Sequence, residues 1–308
     1  MALDKKSYII PSVLLAEAYY SRKDDEKFII SKVEHVIQDG FFKSLELLPI
    51  TDAKLRKKVA SALKTKGCNI TSCVVWTNES LCEAAANIND LDETKRKKAV
   101  DAIKSIIDGA YETGATHIGI SAGPNVGILE RSSAYKALIK SIGEIADYTS
   151  KNNLTVLLEP SDCFKHNKNL LTSTHDAKEL LEIISKEYSN VKLSLNTAHV
   201  SLNREDLCEA VDLAAPFIES VHLSNAVLDL HSPLYGNHRI LPDLPGFLTA
   251  KVAEQIFSHA YKANINKDTG IKAAVELRQD NINLKDRAFE FSTDFLKQIM
   301  LEFYLSNK

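Results

Sequence analysis

Segments typical of buried strands alternate with segments typical of amphipathic helices along the whole chain, and this alternation constrains the fold most. The strand-like segments are short, apolar and rich in β-branched residues, and the helical ones repeat apolar residues every three or four positions. The predicted strands are 7–15, 41–50, 70–76, 117–121, 154–158, 191–195, 217–223 and 271–277. The predicted helices are 24–38, 52–66, 93–112, 130–151, 176–188, 204–214, 251–263 and 286–305.

These strand–helix pairs recur at about 30–45 residues, the size of a βαβ unit in which a helix joins two parallel strands. Eight such units fill 308 residues without a linker or a change of composition. The sequence therefore predicts an α/β protein with a closed (β/α)8 TIM barrel, folded as a single domain over residues 1–308. No Gly-x-Gly-x-x-Gly motif follows a strand, which weakens the alternative of an open dinucleotide-binding sheet.

Charge and composition exclude several classes of partner. The formal net charge of −3 and the pI near 6.3 argue against a broad basic face, and so against nucleic acid or an anionic membrane as a partner. A charged start and the lack of an 18-residue apolar run predict no signal peptide and no membrane span, hence a cytoplasmic protein. The five cysteines form no CxxC pair, so neither disulfides nor a thiolate zinc site is expected.

Four successive strands, the fifth to the eighth, end on residues that bind metals. Glu159 follows the apolar run 154–158, Glu276 closes a near-copy of it, and Asn196 and His222 end the two strands between. Because the carboxyl ends of barrel strands share one face, we expect these side chains to converge. Their oxygen and nitrogen donors suit one divalent ion, Mn²⁺ first and Mg²⁺, Co²⁺ or Zn²⁺ as alternatives. Singly, a histidine here also suits a structural hydrogen bond, and an asparagine a local cap.

Further polar residues near the strand ends are candidates for substrate binding. The long stretch 224–246 carries Asn237, His238 and Arg239, a heavier polar load than a simple connection needs. Arg278 lies just past the last strand, where it fits either a sugar hydroxyl or phosphate, or a salt bridge at the barrel rim. Glu46 lies near the exit of the second strand.

The second half of the chain resembles the xylose isomerase-like TIM barrel superfamily of sugar isomerases and epimerases. The resemblance rests on four motifs: Leu158-Glu-Pro160, Leu195-Asn-Thr-Ala-His199, Val221-His-Leu-Ser-Asn225 and Val275-Glu-Leu-Arg278. It implies that the four strand-end positions hold one divalent metal, usually through Glu, Asp, His and Glu. Asn196 departs from this pattern and removes one negative charge, which we expect to weaken metal binding and which leaves an empty, degenerate site as an alternative.

The resemblance also implies roles for individual residues. Glu159 and Glu276 would be the acid–base pair on either face of a substrate carbon, acting on a metal-stabilised enediolate next to a carbonyl. His199 would contact a substrate oxygen or orient its neighbours. His238 is placed with the catalytic residues, because loops of this family often carry an acid-x-His pair near a glycine.

Other activities within the superfamily remain open. The Gly236-Asn-His238 sequence, with Asp162 and Lys165, is similar to barrel subunits of C-glycoside deglycosidases, which are metal-dependent lyases of 3-keto sugars that work with a small second subunit. A metal-free sugar-binding barrel is a further alternative. Zinc endonucleases of the superfamily need histidines after the second and third strands, where this chain has Glu46 and Thr77-Asn78. The expected partner is a small sugar, with a homo-oligomer or a small partner subunit as further alternatives.

Overall fold

The computed structural model of the chain describes residues 8–64, 73–74, 87–163, 165, 168–243, 245–279, 281 and 286–308. Its strands in chain order are β1 (Ile9–Leu14), β2 (Ser44–Glu46), β3 (Cys73–Val74), β4 (His117–Ile120), β5 (Thr155–Leu158), β6 (Val191–Asn196), β7 (Ile218–Leu223), β8 (Asn225–Ala226), β9 (His238–Ile240) and β10 (Ile271–Val275). Eight of them form one sheet, and β8 and β9 form a separate antiparallel hairpin.

The sheet confirms the predicted (β/α)8 TIM barrel. Its strand order is β2-β1-β10-β7-β6-β5-β4-β3, and every neighbouring pair is parallel. This is the circular order of an eight-stranded barrel opened between β2 and β3, where part of the connecting chain lies outside the described residues. The predicted third strand, 70–76, also lies largely outside them, as do Thr77 and Asn78. The extent of the domain over 1–308 stays a prediction.

Ten α-helices surround the sheet within the described part of the chain. They are α1 (Leu15–Ala18), α2 (Glu26–Asp39), α3 (Ala53–Lys64), α4 (Glu93–Thr113), α5 (Arg131–Ser150), α6 (Thr174–Ile184), α7 (Thr197–Leu202), α8 (Leu207–Ala214), α9 (Ala250–Lys262) and α10 (Arg287–Ser306). The eight longer helices match the predicted ones closely. The two short helices, α1 and α7, begin directly at strand exits and were not predicted. None of these helices has the length and apolar character needed to cross a lipid bilayer.

Side chains alternate between the two faces of each strand, which separates an apolar layer from a polar interior. In β6, Val191, Leu193 and Leu195 join the large core cluster between barrel and helices. The intervening positions, Ser194 and Asn196 among them, lie on the opposite face, which points into the barrel. The apolar layer therefore holds the helices on the barrel, and the inward face is left to polar residues.

The helix ends follow from local sequence. Asp25 accepts a hydrogen bond from the Phe28 N–H at the start of α2, and Asp92 caps α4 in the same way. Gly40 and Gly114 close these two helices with left-handed backbones.

The second strand is shorter than the predicted 41–50. Only the three residues of β2 pair with β1.

A glycine next to the last strand provides a test of the barrel's geometry. Gly270 has a φ of +76°, and a Cβ there would lie 2.8 Å from the Tyr8 carbonyl oxygen. Gly40 has a similar φ of +74° but open space around it. We expect Gly40→Ala to lower the free energy of unfolding by about 1–2 kcal/mol, the cost of a left-handed non-glycine residue. Gly270→Ala should lower it by about 3 kcal/mol or more, because the clash adds to that cost. Urea unfolding followed by circular dichroism measures both, and equal losses would contradict the predicted strain.

Candidate active site at the carboxyl ends of the strands

Five polar side chains from five strands meet at the carboxyl end of the barrel. Glu46 ends β2, Asn196 ends β6, His222 lies in β7, and Glu159 and Glu276 directly follow β5 and β10. Each is buried, with at most 9% of its surface exposed. The structure thus brings together the residues predicted to bind metal, and it adds Glu46, which had been predicted to bind substrate.

Asn196 is the hub of this cluster. Its Nδ2 donates hydrogen bonds to Oε1 of Glu159 at 3.0 Å and to Oε2 of Glu276 at 2.8 Å. Its Oδ1 accepts from the backbone N–H groups of Ala198 at 3.1 Å and His199 at 3.3 Å, so it caps α7. The opposite amide orientation would set an oxygen against two carboxylates and an NH₂ against two N–H donors. The side chain is therefore both a helix cap and a link between the glutamates.

His222 lies between two carboxylates. Its Nε2 is 3.2 and 3.1 Å from the two carboxylate oxygens of Glu46. Its Nδ1 is 2.8 Å from Oε2 of Glu159, but this buried nitrogen makes no hydrogen bond to any described residue. Burial acts to lower the pKa of His222, yet Glu159 and Glu46 outweigh it and raise that pKa well above the ordinary value.

Arg239 holds the second oxygen of Glu276. Its Nε donates to Oε1 at 2.7 Å, and the glutamate is fully buried. Burial acts to raise the pKa of Glu276, but Arg239, followed by nearby histidines, holds this pKa well below its usual range. Arg239 lies on β9, and its backbone has a φ of +58°, a conformation that non-glycine residues rarely adopt. The β8–β9 hairpin therefore holds this residue in an unusual backbone conformation.

Glu17 on α1 connects the two arginines at the barrel rim. It accepts two hydrogen bonds from Arg278, at 2.8 and 2.9 Å, and its Oε1 lies 3.6 Å from Nη1 of Arg239. The guanidinium of Arg278 also stacks on Tyr20, 3.7 Å from the ring centre. Arg278 thus makes the rim salt bridge that the sequence left open. Glu17 was not predicted, although an acid among the apolar residues at the exit of β1 was a usable signal.

Two histidines, His199 and His238, lie near the cluster. Nδ1 of His199 is 3.1 Å from Oδ2 of Asp162, and the rings of His199 and His238 are 5.7 Å apart. Both rings are near enough to act on the charge of Glu276. Asn237, by contrast, is exposed, and its backbone forms the turn before β9. The structure therefore brings together the two histidines predicted to be catalytic, His199 and His238, but leaves Asn237 at the surface.

The donors of the cluster fit a divalent metal in part. Glu159, His222 and Glu276 supply oxygen and nitrogen ligands that divalent metals bind, and the buried Nδ1 of His222 lies 2.8 Å from Glu159 without a hydrogen bond, but the ligand atoms of the three described residues do not all lie within 4.8 Å of one another. The fourth residue does not offer its oxygen, because Oδ1 of Asn196 is used by α7 and Nδ2 lies against both carboxylates. An aspartate has an acceptor oxygen for each side, whereas an asparagine has only one.

A second group of metal-binding residues lies apart from the strand ends. The ligand atoms of His175, Asp176 and Glu179 on α6 lie within 4.8 Å of one another, the one such convergence among the described residues. His175 and Glu179 are exposed, and Asp176 already binds Tyr135 and Arg131. This group therefore has the character of a solvated helix surface.

The strands form a parallel barrel, and acid, imidazole and amide groups are buried together at its carboxyl face. This is the arrangement of a TIM barrel with an enzyme-like site. A match to the xylose isomerase-like TIM barrel family covers residues 35–280. The chain belongs to this family, which confirms the resemblance seen in the four motifs.

Solved structures agree with this assignment at the level of the fold. The zinc-bound IOLI protein has a TM-score of 0.71 at 13% identity, covering 96% of this chain and 99% of that one. L-ribulose 3-epimerase has a TM-score of 0.71 at 14% identity, covering 97% and 96%. D-psicose 3-epimerase from Clostridium cellulolyticum H10, with D-tagatose, has a TM-score of 0.65 at 15% identity, covering 96% of each chain. No curated protein matches the chain in sequence.

The double role of Asn196 predicts an unusually large loss of stability on its removal. Asn196→Ala removes a helix cap, worth about 1 kcal/mol, and leaves two buried carboxylates without their shared donor, which costs about 1–3 kcal/mol more. Ser173→Ala is the matched control, because Ser173 caps α6 through a single hydrogen bond to the Asp176 N–H. Urea unfolding should show a loss of about 2–4 kcal/mol for Asn196→Ala against about 1 kcal/mol for the control. Equal losses would show that the bridge contributes nothing.

Proposed function

We propose that the protein is a sugar epimerase or isomerase. It would remove and return a proton on the carbon next to the carbonyl of a ketose or keto-sugar. The observation that carries the proposal is the pair Glu159 and Glu276, which flank one amide group at the carboxyl face of the barrel. Membership of the xylose isomerase-like family and the fold shared with sugar epimerases support it.

The two glutamates have different surroundings, as an acid–base pair requires. Glu276 is fully buried and bound by Arg239, whereas Glu159 is 9% exposed and lies beside His222. In the proposed reaction one glutamate takes the proton from the substrate carbon while the other returns one on the opposite face. His199 and His238 bind the substrate oxygens, and Arg239 keeps Glu276 in place. Arg278 and Asn237 remain proposed substrate contacts at the rim, and Glu46 orients His222.

We infer that Glu159, His222 and Glu276 would hold one divalent metal ion, with Mn²⁺ the first candidate. Such an ion stabilises the negative charge that develops on a substrate carbonyl oxygen as the proton leaves. Asn196 joins as a fourth ligand only if its amide rotates, which gives up the cap of α7. Zinc in the similar IOLI protein supports a metal of this class.

A metal-free sugar-binding barrel is the second candidate. The observation that favours it is the NH₂ group of Asn196, which satisfies the same two carboxylates that a cation would bind. The lyase of 3-keto glycosides shares the first proton abstraction with an epimerase and differs only in its product. A small sugar partner, a homo-oligomer or small partner subunit, and a cytoplasmic location complete the proposal.

Turnover of a sugar panel tests the acid–base assignment. With Mn²⁺ present, we expect the protein to convert at least one member of a panel of ketoses, ketose phosphates and 3-keto glycosides, detected by chromatography. Glu159→Gln and Glu276→Gln should each lower kcat by about 10²–10⁴, the usual contribution of a general acid or base. Glu179→Gln on the exposed surface of α6 is the control and should retain activity. Full activity in either strand-end variant would remove the assignment, and a cleaved product would favour the lyase.

Calorimetric titration with Mn²⁺ tests the metal without requiring a substrate. Asn196→Asp should tighten binding about tenfold or more, equivalent to about 1.4 kcal/mol, because an aspartate serves the cap and the metal at once. Asn237→Asp adds the same charge at an exposed position and should leave affinity unchanged. Equal affinity of wild type and Asn196→Asp would show that this side chain is no ligand. No heat with either protein would favour the metal-free barrel.

A further inference from the structure

Serine hydroxyls line the inside of the barrel beneath the strand-end cluster. Ser44, Ser194 and Ser220 each lie two positions before a residue of that cluster and so share its inward face. Ser12 of β1 pairs with Ser44 of β2. All four are at most 2% exposed. The interior of a TIM barrel is usually filled by large branched apolar side chains, so four serines there are unusual.

None of these four hydroxyl oxygens has a hydrogen-bond partner among the described residues. A buried hydroxyl without a partner is costly, so such groups normally bind ordered water. The neighbouring inward positions include two small residues, Ala274 two positions before Glu276 and Gly119 in β4, and one large residue, Leu157 two positions before Glu159. Several buried hydroxyls without protein partners, next to small side chains on two strands, are surroundings in which proteins hold ordered water.

A charged group lies at the opposite end of this interior. Nζ of Lys272 is 2.7 Å from Nε2 of His117 and 3.1 Å from Oε1 of Glu219. These residues lie at or next to the amino ends of β10, β4 and β7, on the face opposite the candidate active site. Their side chains are 12%, 13% and 33% exposed, respectively, so the group, here called the floor cluster, reaches solvent through Glu219.

The floor cluster and the strand-end cluster lie within electrostatic reach of each other. The charge of Glu46 acts on both Lys272 and His117. Burial lowers the pKa of Lys272 and of His117, which eases proton release from both. The contact with His117, followed by the charge of Lys272, lowers the pKa of Glu219 to about 2 against the effect of burial.

We propose that the barrel holds a column of bound water along these serines, and that this column carries protons between the strand-end cluster and solvent at the floor cluster. Each water or hydroxyl accepts one proton and passes on another, so no group gains or loses charge overall and no co-reactant is needed. The transport role rests on the proposed epimerase function, because a base that has taken a substrate proton must exchange it. The water column itself does not depend on that function.

The water is tested on the purified protein without substrate. A crystal structure should show ordered waters within hydrogen-bond distance of the four serines, and ¹⁷O magnetic relaxation dispersion should show long-lived internal water. Replacing Ser44, Ser194 and Ser220 by alanine should reduce that signal and lower Tm by about 2 °C or more. Ser292→Ala on α10 is the control, because this buried serine already donates to a backbone carbonyl. A dry interior, or a triple variant with raised Tm, would overturn the column.

Proton transport is tested with an active sugar in D₂O, using D-psicose as the probe. Lys272→Met should lower the fraction of solvent deuterium in the product while product still forms, and Lys262→Met on the surface of α9 should not. Unchanged deuterium incorporation in Lys272→Met would overturn transport through the floor and leave the water column standing. If D-psicose and the other panel sugars give no product, the proposed function fails, and the relaxation measurement still decides whether the water is present.

Discussion

The arrangement at the carboxyl face depends on the two hydrogen bonds that the amide of Asn196 donates to Glu159 and Glu276. They join the ends of β5, β6 and β10, which are far apart in sequence, through one side chain. The oxygen of the same amide starts α7 and so fixes the position of His199. Because both ends of a short, fully buried side chain are satisfied, the position of each glutamate is tied to the position of a helix.

Paired charges extend outward from this hub. Four buried or nearly buried carboxylates face three cationic side chains. Glu46 and Glu159 lie beside His222, Glu276 pairs with Arg239, and Glu17 lies beside both Arg239 and Arg278. Buried charges are tolerated when each has a partner of opposite charge. Removal of one partner leaves the other charge buried and uncompensated, which destabilises the fold. The hairpin of β8 and β9 supplies Arg239, so this part of the 224–246 connection is built into the site and is not merely a link between β7 and α9.

Much of this could be predicted from the sequence, and the limits have physical causes. The periodic pattern predicted the barrel. Each buried strand is a short apolar segment and each helix repeats apolar residues every three or four positions, so both can be recognised from neighbouring residues in the sequence. The convergence of Glu159, Asn196, His222 and Glu276 followed from the topology alone. The orientation of the Asn196 amide could not be predicted, because it depends on which acceptors and donors three separate strands bring to it. The same holds for Glu17, whose partners Arg239 and Arg278 lie more than 200 positions away.

The four serines show a similar limit. Their hydroxyls lie in strands whose pattern predicts burial, but only the barrel shows that they share one interior with Lys272. The chain belongs to the xylose isomerase-like TIM barrel family, and Asn196 is the residue at which it differs from the Glu, Asp, His and Glu pattern that the motif resemblance implies. Its amide satisfies the two carboxylates and the start of α7 together.

Proton exchange of the Asn196 side-chain amide, measured by NMR on protein labelled with ¹⁵N-asparagine, tests this central interaction most directly. The resonance is assigned by its absence from Asn196→Asp. Two hydrogen bonds to buried carboxylates should protect its NH₂ protons, so that the signal persists in D₂O long after that of the exposed Asn237 has disappeared. Exchange as fast as that of Asn237 would show that the amide does not bridge the two glutamates.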